Sequence, residues 1–172
     1  MTMELLITEQ KRFLSLLEIV RRKGDLLLKT DARLFNVNLD AAWVERLENE
    51  EDLAERLDAF ISRFGRMQDT LGDKLIPSLL RSLAEKPGSA LDNLNKMEKL
   101  GLLNSVVEWL DVRNLRNKLV HEYMDDAEEF AMALNQSHAA VALLLAAYNA
   151  INVFAQSRVS APAWPDLLPS GR

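Results

Sequence analysis

Ala139-Ala-Val-Ala-Leu-Leu-Leu-Ala-Ala-Tyr148 is the most apolar window of this 172-residue chain. It holds no Gly or Pro and is made largely of strong helix formers, so it reads as part of a helix. A membrane helix needs about 20 such residues; ten point to a buried core helix. Outward from this window, Asp125 and Asp126 are N-cap candidates upstream. Phe130, Leu134, Val141, Leu145, Tyr148 and Ile151 keep a helical rhythm to about Phe154. Pro162, Pro165 and Pro169 then crowd the end. The expected organisation is one helical domain over residues 1–156 and a Pro-rich tail over residues 157–172, either mobile or docked on the surface.

The rest of the chain agrees with a helical protein. Apolar residues make up 48% of it, with only 6 Gly and 5 Pro, a composition that disfavours a turn-rich sheet protein. A first helix is expected from about Thr8 through Phe13, Leu16, Leu17 and Val20 to about Lys23, with Gly24 as a stop, and Asp25 to Val37 either continues it or forms a loop. Asp40 caps a second helical region carrying Trp43, Leu47, Leu53, Leu57, Ile61, Phe64, Met67, Leu71, Leu75 and Leu79, with bends at Gly65, Gly72 and Pro77. Lys86-Pro-Gly-Ser89 breaks the chain. A short helix follows from Ser89 to Lys99 with Gly101 beyond it, and Asn104 or Ser105 caps the next, which runs to about Tyr123. The fold class read from this pattern is all-α, an antiparallel bundle of four to five helices.

No Cys is present, which excludes disulfides and thiolate metal sites and suits a reducing compartment. The start, Met1-Thr-Met-Glu-Leu-Leu6, lacks a basic segment followed by an apolar run, so a cytoplasmic location without membrane contact is expected. The formal charge of -5 gives no general pull towards nucleic acid, so any such contact must be local or built by an assembly. Gly-rich phosphate loops, Ser or Cys triads and dinucleotide fingerprints are missing.

The helix from Ser105 to Tyr123 carries the one informative constellation. At about 100° per residue, Trp109, Val112, Leu119, Val120 and Tyr123 gather on one side, and Arg116 falls near the middle of that apolar stripe. A guanidinium cannot shed its proton, and burying it unpaired is costly. Its stem must reach an edge, or it meets a carboxylate, or it lines a cleft at an interface. Arg113, Asn117 and His121 form a polar stripe beside the apolar one. Arg116 and His121 diverge by about 140° in a straight helix. For both to act on one phosphate, the helix must distort or end near His121, or two copies must combine across a two-fold axis.

Arg116-x4-His121-x-Tyr123, with Asn117 directly after the Arg, resembles the R-x4-H signature of the HEPN family. Leu115-Arg-Asn-Lys-Leu-Val-His-Glu-Tyr123 is similar to the bacterial toxin branch encoded beside minimal nucleotidyltransferases, and Ser62 to Leu75 resembles that branch's second helix. The likeness covers roughly residues 50 to 155. It implies a homodimeric bundle with both motifs in one interfacial cleft, acting as a metal-independent endoribonuclease without a cofactor. It also implies a toxin–antitoxin pair in which a cognate minimal nucleotidyltransferase neutralises the toxin, in some members by placing AMP on the motif's Tyr, here Tyr123. The other reading is a non-catalytic HEPN subunit that binds a nucleotide or substrate for the partner nucleotidyltransferase.

The chemistry of these residue types fits RNA cleavage by attack of the 2′-hydroxyl on the adjacent phosphate. His121 is expected to trade a proton near neutral pH, and Arg116 to pair with phosphate oxygens as charge builds. Asn117 and Arg113 are expected to orient the substrate, and AMP on Tyr123 would block the cleft. Tyr123 on an apolar stripe is equally suited to packing. Asp69 and Asp73 share a helix face and could hold a divalent cation, pair with Arg116 or stay solvated. His138, at the margin of the last helix's apolar face, reads as structural. The two histidines lack zinc-site spacing.

Overall fold

The computed structural model describes residues 1–121 and 125–169, with His121 described in its backbone only. Helices α1 (Met3–Leu34), α2 (Ala41–Glu45), α3 (Glu51–Thr70), α4 (Ile76–Ser82), α5 (Ala90–Lys99), α6 (Val106–His121) and α7 (Ala127–Gln156) follow one another, and no strand occurs among the described residues. A 3-10 turn, Arg46–Glu48, follows α2, and a π turn, Leu71–Leu75, joins α3 to α4.

Four long elements form a ring in the order α1, α3, α6, α7. Each touches its two ring neighbours. Cross-links fix the directions. Gln10 reaches Ser82 and Arg63 reaches Thr30, so α1 runs against the α3–α4 pair. His138 meets Asp31 near the end of α1, so α7 is antiparallel to α1 as well. Lys118 and Glu129 join the end of α6 to the start of α7. Phe13, Leu17, Phe60, Phe64, Leu134 and Tyr148, all essentially without solvent contact, fill the centre of the ring. Burying one such side chain stabilises the fold by about 1.5–3 kcal/mol.

Two helix starts match the expected caps closely. Asp40 accepts from the Trp43 amide at 2.9 Å and Asp126 from the Glu129 amide at 3.1 Å. Ser89 and Asp92 form a reciprocal capping box, which holds the Asp92 carboxyl below its ordinary range. Helix α1 starts earlier than expected, and of the two readings of Asp25 to Val37 the continued helix holds as far as Leu34. The helix begins at Met3 with Thr2 as its cap and runs ten residues past Gly24. Gly24 is a seat, not a stop: a Cβ there would collide with Leu168 and lie 3.1 Å from Met67.

The expected second region is also divided. Packing explains the division, because α2 lies on α7 whereas α3 lies on α1 and α6. The chain turns between them at residues 46–50, and the solvated acidic run Glu48 to Asp52 supplies Glu51 and Asp52 to the first turn of α3, where the helix dipole favours them. Further on, Pro77 has no N–H for the Asp73 carbonyl. The wider π turn accommodates it, with the Ile76 amide bonding Leu71 five residues back. The wide turn also changes the buried rhythm, from Leu57, Phe60, Phe64, Met67 and Leu71 to Leu75, Ile76, Leu79 and Leu80.

Helix α7 is long and apolar enough by length and composition to cross a membrane, and 44% of its most apolar window is buried in the bundle. It also carries the tail. Asn149 pairs with the backbone of Leu168 in both directions at 2.8 Å, Asn152 donates to the Pro165 carbonyl at 2.9 Å, and the Tyr148 hydroxyl donates to the Asp166 carbonyl at 2.9 Å. Val159 and Leu168 are buried. Residues 157–169 are therefore a docked strap. Asn152 is fully buried, so Asn152→Ala leaves the Pro165 carbonyl without its donor and is expected to cost about 2 kcal/mol. Chemical denaturation and limited proteolysis check this: parent-like stability with an equally protected strap would contradict the tail's anchoring role.

Candidate active site

Helix α6 lies against α3 in a register set by two glycines. Gly65 and Gly72 are seven apart on α3 and the π turn; Trp109 and Arg116 are seven apart on α6. A Cβ on Gly72 would stand 3.4 Å from the Trp109 ring, and one on Gly65 would stand 3.0 Å from Arg116 Nε. The two helices thus run antiparallel, with Gly72 opposite Trp109 and Gly65 opposite Arg116. Gln68, between the glycines, donates to the Trp109 carbonyl at 3.4 Å. The glycines, expected as bends, act as gaps that let two large side chains lie flat across α3. Matching seven-residue spacings in the two segments were the available signal.

The inward stripe of α6 consists of Trp109, Val112 and Leu119, with Leu115 partly buried. Arg116 falls in its middle, as the projection places it. Val120 does not join that stripe: it is 48% exposed, at the stripe's edge. Leu110, Arg113 and Asn117 are exposed beside it, and Val107 is exposed further round the helix. Tyr123, also expected on the inward stripe, lies outside the described residues, as does the His121 side chain. The backbone of α6 is regular to His121, its last residue.

Arg116 does meet a carboxylate. Its stem crosses Gly65 and its Nη2 lies 3.1 Å from Asp69 Oδ2. The pair is not internal, with side-chain exposures of 31% for Arg116 and 42% for Asp69. Ion pairs this exposed contribute only about 0.2–1 kcal/mol, so an incoming phosphate, which suits the guanidinium fork equally well, can displace Asp69. Asp73 has no ion-pair partner among the described residues, and no group of three or more His, Cys, Asp or Glu placed to hold a metal occurs among them.

A second polar cluster lies at the far end of α1. His138 Nδ1 is 2.7 Å from Asp31 Oδ1, and the imidazole stacks on Phe35 with centroids 4.3 Å apart. Asp31 is buried, and burial raises its carboxyl above the ordinary range while the His138 bond pulls the other way. A raised carboxylate pKa means that the folded state holds this proton more tightly than the unfolded chain. The contribution to stability is therefore full below the unfolded pKa, about 3.9, and is lost as pH rises through the raised folded value. Asp31→Asn removes that dependence. The stability difference between variant and parent should move in the variant's favour as pH rises from about 3.9, the unfolded value; a difference that is flat or moves the other way would contradict this account.

Elsewhere the Glu18 carboxyl is lowered to about 2, chiefly by its hydrogen bond to Arg21 with help from Arg22. These three side chains share the surface of α1 and lie apart from the α6 motif. Comparison of the chain with protein-family models, with curated proteins and with solved structures gives no match in any of the three.

Proposed function

We propose that this chain is a HEPN-type toxin subunit, a cytoplasmic, metal-independent endoribonuclease whose site forms where two copies meet along α6. One observation carries the reading: Arg116, in the middle of a packed helix face, spans Gly65 and presents its guanidinium to solvent held only by a surface carboxylate. A permanent cation seated this way suits the charge that builds on a pentavalent phosphorus.

The regular α-helix to His121 favours a composite site, since Arg116 and His121 of one straight helix point about 140° apart. A two-fold axis beside α6 brings the Arg of one copy towards the His of the other. The exposed Leu110 and Val120 supply apolar contact for such a pairing. Within the site, Arg116 neutralises the phosphate, His121 moves the proton between 2′-hydroxyl and leaving oxygen, and Asn117 and Arg113 orient the strand. A partner nucleotidyltransferase would silence the site by attaching AMP to Tyr123.

Asp69 favours a second reading. A guanidinium already paired at 3.1 Å, on a chain of net charge -5, also suits a non-catalytic HEPN subunit that presents a nucleotide or substrate to that nucleotidyltransferase. Incubation of the purified protein with tRNA and mRNA in the presence of a metal chelator separates the two. Cleavage to products with 2′,3′-cyclic phosphate ends supports the nuclease. Intact RNA with the protein folded and dimeric gives the non-catalytic reading precedence.

A further inference from the structure

A large cleft lies between the N-terminal half of α1 and the π turn with α4. It has a volume of about 660 Å³. Lys11 and Arg12 stand on the α1 wall; Lys74 and Arg81 stand on the other. Among the described residues, Glu9 and Asp73 are the only carboxylates in the lining, so four cations face two anions, a local surplus of positive charge on a chain whose formal charge is -5. Glu9 is taken by Arg12 at 3.1 Å. Lys11, Lys74 and Arg81 have no ion-pair or hydrogen-bond partner among the described residues. Unpaired cations on two facing walls, with hydroxyls of Ser15 and Ser78 between them, suit a ligand with repeated negative charges.

The π turn produces this arrangement. By forcing a wide turn at Leu71–Leu75, Pro77 places Lys74 on the cleft wall while Leu75 and Ile76 both stay in the core. The same element carries the α6 contact. Asp69, which holds Arg116, lies four residues before Asp73, a rise of about 6 Å along the helix. The cleft and the Arg116 pair therefore open from consecutive turns of one continuous helical segment.

We propose that this cleft binds the phosphodiester backbone of RNA, holding the strand beside the α6 site. The binding is electrostatic and independent of base sequence. This supplies the local attraction that the overall charge withholds, and it rests on the reading of the protein as one that acts on RNA.

The test is fluorescence anisotropy of a labelled single-stranded RNA 12-mer against the full chain and the variant Lys11→Gln/Lys74→Gln/Arg81→Gln. All three residues are exposed, so the variant should keep the parent's circular dichroism and oligomeric state. Removing three phosphate contacts should weaken binding on the order of a hundredfold at about 50 mM salt but only about two- to threefold at about 300 mM, and flatten the salt slope by roughly two. Restoring charge with Lys11→Arg/Lys74→Arg should keep parental affinity. Equal affinity of parent and triple variant would overturn the proposal. So would binding of the parent to phosphatidylserine vesicles but not to RNA. The reading of α6 fails separately. A parent that binds RNA through these cations yet never cleaves it sinks the nuclease and keeps the cleft. A parent that cleaves normally, with the triple variant unaffected in binding and rate, sinks the cleft and keeps the nuclease.

Discussion

Arg116→Ala is expected to lower RNA cleavage by about three orders of magnitude while the fold survives. Removing one charged donor aimed at developing negative charge costs on the order of 10²–10³ in rate, and a guanidinium that meets the phosphate with two N–H groups belongs at the upper end. The structural cost is small by comparison. The Asp69 pair is exposed and contributes less than about 1 kcal/mol; the stem packed over Gly65 adds a little more. Circular dichroism, a melting curve and a single-turnover cleavage assay on one preparation check this. Arg116→Lys retains charge but not the planar fork and should recover only part of the rate. Asp69→Asn leaves the guanidinium free and should leave cleavage intact. A structural arginine behaves differently: Arg116→Ala and Asp69→Asn would then cost the same stability, and Arg116→Ala would leave any RNA cleavage unchanged.

Trp109→Ala is expected to destabilise the protein by about 3–5 kcal/mol, the range for deleting a large aromatic from a packed core. Trp109 is 3% exposed, its ring covers Gly72, and its carbonyl receives Gln68. Neither glycine has a side chain to fill the space that the indole leaves, so the interface between α3 and α6 cannot close over the loss. For a chain of this length such a loss is a large part of the stability expected of an ordinary domain, about 5–15 kcal/mol. Urea denaturation followed by far-ultraviolet circular dichroism measures it. A loss under about 1 kcal/mol would mean that α6 is held by α7 alone and that the glycine register does not seat Arg116.

The helices were legible where local chemistry decides them. Asp40, Ser89 and Asp126 cap the helices that they precede, and the position of Arg116 within an apolar stripe followed from periodicity alone. Positions settled by distant partners were not legible. Gly24 looks like a helix end, yet Leu168, far along the chain, fills the space beside it. The strap depends on Asn149 and Asn152, two amides on an apolar helix whose partners arrive only when the tail folds back. Val120 is apolar and at the stripe's edge, yet is 48% exposed. Pro77 did carry a readable signal, since a proline four residues after Asp73 must widen or break the turn. Asp69 was among the carboxylates placed to meet Arg116, but only the packing of α3 on α6 selects it over Asp73.

Complementation between dead chains tests the composite site most directly. Arg116→Ala and His121→Ala chains, each inactive alone, are unfolded together, refolded and assayed on RNA. Random pairing makes half of the dimers mixed, and each mixed dimer holds one site with both an intact Arg116 and an intact His121, so about a quarter of parental activity should return. No recovered cleavage, with mixed dimers demonstrably present, would contradict a site shared between two copies of α6.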